Sequence, residues 1–224
     1  VGISGSITGS GSVTLGIAGY HETSSTILGE HSGFTADVTL ANGHTLTLND
    51  TVGIGSSGTI KLESGTYLVI NDATAGGVLS KTITGEANSN VQLTGSGIGI
   101  AANNSGYGGN WMFTDGTTVL VAGDSNTSAD DRLGTGGTVK LGDESGTGTT
   151  LTISQTAGDF TLDNAFAGSG TLAVSGNGSV QAFGFDRVWT NPNDFTGTVD
   201  IRNGISMTVG GTNVTDVGAF NSAN

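Results

Sequence analysis

Residues 166–209 read FAGSGTLAVSGNGSVQAFGFDRVWTNPNDFTGTVDIRNGISMTV. Four short runs in this stretch alternate: Thr171-Leu172-Ala173-Val174, Ser179-Val180-Gln181-Ala182, Thr198-Val199-Asp200-Ile201 and Ser206-Met207-Thr208-Val209. Strand side chains point alternately to two faces, so a period of two marks a half-buried strand. Ser175-Gly176-Asn177-Gly178 and Arg202-Asn203-Gly204 separate the runs. Gly and Asn supply the positive φ that such corners require. Neither pair of runs can enclose a core alone. They make sense as rungs of a stack, each covering the apolar edge of the one before.

The same stretch carries a family resemblance. Gly168-Ser169-Gly170-Thr171-Leu172-Ala173-Val174-Ser175-Gly176 is followed by Asn193-Asp194-Phe195-Thr196-Gly197-Thr198-Val199-Asp200-Ile201-Arg202-Asn203-Gly204. Together they resemble the repeat of bacterial autotransporter passenger domains, G-x-G-T-L-x-V-x-G and then N-x-[FY]-[TS]-G-x-x-x-[IV]-x-x-G. The tail runs on through Ile205 to Val209, and the close match covers about a fifth of the chain. The resemblance implies an adhesin at the bacterial cell surface, extracellular and anchored through an outer-membrane barrel further downstream. Its implied partners are like passengers on neighbouring cells, giving aggregation or biofilm, or a host matrix protein or glycan. It also implies a stabilising segment toward the C-terminus, placed here at 160–209.

Composition narrows the alternatives. Gly accounts for 41 of 224 residues and Pro for 1, without a glycine triplet, which excludes collagen. Hydrophobic residues make up 34% and sit in alternating runs, unlike a disordered linker. Nowhere do apolar residues recur at helical spacing, and Thr and Val dominate the ordered runs. Without cysteine there are no disulfides and no thiolate metal sites. The net charge of −13 argues against nucleic acid and against charge-driven binding to anionic lipid. No apolar run is long enough to span a membrane, so membrane insertion by this segment is not expected. Val1 begins in mid-pattern, as in a mature protein or a piece of a longer one.

Inward-pointing pairs recur with a rhythm. Leu46/Leu48, Ile60/Leu62 and Leu68/Ile70 form one series; Val139/Leu141, Leu151/Ile153, Phe160/Leu162, Leu172/Val174 and Val180/Ala182 form another. Steps of about 8 and 12–14 residues alternate, and two steps sum to about 20–22, the period of a solenoid coil. The expectation is all-β: a single right-handed parallel β-helix of about ten coils across 1–224. A β-sandwich is the runner-up, since Asn42-Gly43 and Asn203-Gly204 are hairpin-type dipeptides. Residues 101–110, AANNSGYGGN, are the candidate register break, with Tyr107 expected to matter little for stability. Phe160, Phe166, Phe183, Phe185, Trp189 and Phe195 cluster in the expected stabilising segment, where large rings concentrate burial.

Little in the sequence carries catalytic chemistry. His21, Glu22, Glu30, His31 and His44 form a candidate metal cluster, but their spacing matches no ligand motif, and a solvated loop or cap is the simpler reading. Gly123-Asp124-Ser125-Asn126 resembles a lipase GDS block, but every histidine lies upstream of it, so no base follows to activate the serine. Asp130, Asp131, Asp143 and Glu144 are weak calcium candidates and the best carboxylates for glycosidic chemistry. The reading is therefore a surface-binding module without catalysis or cofactor. The alternative from another class is a carbohydrate-active β-helix, a polysaccharide lyase or glycosidase.

Overall fold

A computed structural model describes residues 2–3, 7–16, 23–27, 31–123, 129–142, 147–156, 160–162, 164–176, 179–183, 195–202, 206–209, 212–215 and 218–221. The fold is a parallel β-helix, nearly all β. Its one described helix is Ala129–Leu133.

Three faces enclose the core. Face I is an eight-stranded sheet stacking Gly2–Ile3, Ser24–Ile27, Thr45–Leu48, Tyr67–Asp72, Asn90–Gly95, Asn110–Phe113, Thr138–Leu141 and Ala165–Gly168. Face II stacks Val78–Leu79, Ile98–Ile100, Thr118–Gly123, Thr150–Gln155, Thr171–Gly176 and Thr198–Ile201. Face III is built in two parts. Ser12–Leu15, Asp37–Leu40, Thr59–Leu62 and Thr82–Gly85 form the first; Phe160–Leu162, Ser179–Phe183 and Ser206–Val209 form the second. Between the two parts, Gly85 pairs in parallel with Tyr107, and the short helix follows one turn later, between Thr118–Gly123 and Thr138–Leu141.

All pairings between successive turns are parallel, which rules out the sandwich. The expected period holds locally: Leu46 lies opposite Leu68, and Leu151 opposite Leu172. The coil count does not hold, for the solenoid makes about six turns, not ten. Early turns on face I advance 21 to 23 residues, as Ser24 meets Thr45, Thr45 meets Tyr67 and Tyr67 meets Asn90. Later turns advance 28 and 27, as Trp111 meets Val139 and Val139 meets Phe166. The helix accounts for part of the extra chain in the first of these steps. The end of the chain adds no turn, because Thr212–Thr215 and Gly218–Asn221 fold back antiparallel on Ser206–Val209 and Thr198–Ile201.

In-register stacking puts like on like. Leu46, Leu68, Val91, Trp111, Val139 and Phe166 form one continuous buried column, and Leu48, Ile70, Leu93, Phe113 and Leu141 form the next. Corners bury polar groups, which must find partners there. Asn104 accepts from the Ile83 amide at 2.8 Å and donates to the Arg132 carbonyl at 2.7 Å, tying three turns together. The motif glycines have a packing cause. A Cβ on Gly197 would lie 2.0 Å from the Gly170 carbonyl oxygen, and one on Gly176 would lie 1.8 Å from that of Gln155.

Across 101–110 the parallel pairing continues, with Asn90 opposite Asn110. Tyr107 is a core residue, contrary to expectation. Its ring is fully buried, edge-on to Trp111 at 5.4 Å, and its hydroxyl donates to the Asn110 carbonyl at 2.8 Å. Composition misled here, because the surrounding Gly and Asn shape the corner while the one large ring turns inward.

Candidate functional site

Among the described residues, the carboxylates and histidines singled out from sequence are not gathered into one site. Asp131 is half-buried on the short helix, and its main-chain carbonyl accepts from the Asn104 amide at 2.7 Å. Asp130 lies on the same helix. Asp143 and Glu144 lie outside the described residues, as do His21, Glu22, Glu30, Asp124, Ser125 and Asn126. His31 and His44 are both buried. The Ile7 amide donates to His31 Nδ1 at 3.1 Å, and His44 Nδ1 pairs with the Thr23 hydroxyl at 2.7 Å. Burial holds the His44 pKa below its ordinary value. These two histidines lie outside the strands yet are buried, not solvated as expected. Among the described residues, no group of three or more His, Asp or Glu is placed to hold a metal ion. Of the six aromatic candidates, Phe166 and Phe195 are buried against each other with ring centres 6.4 Å apart. Phe160 and Phe183 lie in face III strands, while Phe185 and Trp189 fall outside the described residues.

What the fold does assemble is its outer surface. Outward residues of each rung stack into columns running along the rod. On face III one column is Thr14, Thr39, Lys61 and Thr84. On face I the two columns are Thr45, Tyr67, Asn90, Asn110 and Thr138, and Thr47, Val69, Gln92, Met112 and Lys140. Neighbouring members bond along the rod. Asn110 Nδ2 donates to Asn90 Oδ1 at 3.2 Å, and the Thr138 amide donates to Asn110 Oδ1 at 3.0 Å.

Two depressions lie along the central rungs of face I and the corners that follow them. An open groove of about 400 Å³ is lined by Met112, Phe113, Thr114, Asp115, Lys140 and Gly142. A second depression of about 240 Å³ shares Met112 and Lys140 with it and reaches Asn90, Asn110 and Thr138.

The described cations divide sharply. Lys61 is near Glu63 at 4.0 Å, Arg202 pairs with Asp200, and Arg132 donates to the Ala101 carbonyl. Lys81 is buried. Its ammonium donates to the carbonyls of Ala36, Ser57 and Ile54 at 2.7, 2.7 and 3.1 Å, and lies 5.1 Å from the Phe34 ring centre. Burial pulls its pKa down. The alternation contained this signal, since Lys81 stands two residues before Ile83 and therefore shares its inward face. Lys140 is the exception: exposed, in the groove, and without an acid partner among the described residues.

No helix in the described residues is long and apolar enough to cross a membrane. Compared with protein-family models, with curated proteins and with solved structures, the chain matches none.

Proposed function

We propose that this chain is a cell-surface adhesion and self-association module, presented as an autotransporter passenger and acting without catalysis. The observation that carries this reading is the polar column Thr14, Thr39, Lys61 and Thr84 on a stacked, hydrogen-bonded wall. Two rods side by side would exchange many weak hydrogen bonds, and affinity would come from multiplicity rather than from a deep pocket. The passenger-like repeat at 168–204 supports the same reading.

Cells displaying the chain should clump without any added partner. Charge placed in the face III column, Thr39→Asp with Thr84→Asp, should abolish clumping while the protein stays folded by circular dichroism. Clumping unchanged by those substitutions would remove face III from the interface; no clumping by the parent chain would remove self-association altogether.

The groove favours a second reading, a carbohydrate-active β-helix, because it brings Asp115 and Lys140 into one depression. Turnover of acidic polysaccharides, seen as new reducing ends or unsaturated products and lost in Asp115→Asn, would establish it in place of the first.

A further inference from the structure

We infer that the face I groove is a binding site for an anionic glycan, a polymer carrying uronate-type carboxylates, with Lys140 as its charge-reading residue. The inference supplies a ligand class for the adhesion reading and rests on it only in that sense. Every other described cation is buried, bonded to the protein or beside an acid, whereas Lys140 stands exposed in the groove. An exposed ammonium with no acid partner among the described residues is a ready partner for a carboxylate. Met112 sits beside it and offers an apolar, adaptable surface to the C–H face of a sugar ring. Thr114, Asp115, Asn110 and Thr138 border the same surface with hydroxyl, carboxylate and amide groups that match sugar hydroxyls.

The geometry favours a polymer over a compact ligand. The two depressions join across three successive rungs, Asn90–Gly95, Asn110–Phe113 and Thr138–Leu141. Rungs repeat about every 4.8 Å, close to the length of one sugar unit in an extended glycan, so each unit would meet a fresh rung. The chain's overall negative charge opposes a polyanion, but beyond a screening length of about 8 Å at physiological salt that opposition is weak. Contacts inside the groove therefore decide.

Titration calorimetry on the intact soluble chain tests the assignment with a short galacturonate oligomer and with the same oligomer methyl-esterified. The acid form should bind and the ester should bind about tenfold more weakly. Lys140→Met should cause a loss of similar size, Lys140→Arg should restore binding, and Arg202→Met, outside the groove, should change nothing. Equal binding of acid and ester, equal losses in the Lys140 and Arg202 variants, or no binding of the acid form would each overturn the proposal. Because purified protein is titrated, failure here leaves the clumping result unaffected, and failure to clump leaves this result unaffected.

Discussion

Two buried aromatic groups, about two turns apart on face I, show what sets stability in this rod. One is Phe166 with Phe195, inside the passenger-like repeat. The other is Tyr107, Trp111 and Phe113, in and just after the Gly- and Asn-rich corner. The first group sits where the motif predicts a stable segment; the second occupies the place that composition marks as weakest. Trp111 is enclosed between Val91 on one rung and Val139 on the next, and its indole N–H donates to the Leu133 carbonyl at 2.7 Å. In a stacked fold a rung's stability follows what it buries and what covers it on both sides. Glycine content in the adjoining corner is a poor guide to that.

The largest effect is therefore expected in the middle of the rod. Trp111→Ala should destabilise by about 4–5 kcal/mol, against about 3–4 for Phe195→Ala, as measured by urea unfolding. The reverse order would make the C-terminal pair the stronger anchor. Gly197→Ala asks whether the motif's small residues matter as much as its ring. With the Gly170 carbonyl so close, the added methyl should cost about 1–3 kcal/mol. A neutral result would show that the rungs there part easily.

Tyr107→Phe sharpens the comparison further. It keeps the ring against Trp111 and removes only the hydroxyl, which bonds the Asn110 and Ser89 carbonyls at 2.8 and 3.2 Å. A loss of about 1–2 kcal/mol is expected, with a much larger one in Tyr107→Ala. Little change in either variant would return this corner to the marginal role that composition suggested.

The smallest effect concerns pH. The folded protein resists protonating buried His44, so its pKa lies below the unfolded value of 6.5. The unfolded chain then binds the proton that the folded chain refuses, and stability falls as pH drops from 6.5 toward the lowered value. Above 6.5 the effect vanishes. His44→Gln should flatten this part of the stability curve, and an identical slope in parent and variant would assign it to other groups.

Much of the wall was legible because strand side chains alternate. Thr45–Leu48, Thr59–Leu62 and Thr198–Ile201 are the strands that their patterns foretold. What faces outward within them was legible for the same reason. Turn length was not, because corners carry no periodicity: the step from Trp111 to Val139 contains a helix that its short, polar sequence does not announce. The partners of buried polar groups were obscured for a related reason. Lys81 is in phase with inward Ile83, but the three carbonyls that satisfy its ammonium lie 24 to 45 residues upstream. The groove was equally hidden. Met112 and Lys140 are 28 residues apart in sequence and become neighbours only through the register of two rungs.

Native-state hydrogen exchange, resolved by residue, tests most directly the claim that local burial rather than motif identity governs stability. If the claim holds, amides of Trp111, Met112 and Phe113 exchange more slowly than those of Leu172, Ala173 and Val174, with rates rising toward both ends of the rod. If the amides of 172–174 outlast those of 111–113, the passenger-like repeat is the stable element and the central aromatic group is only local packing.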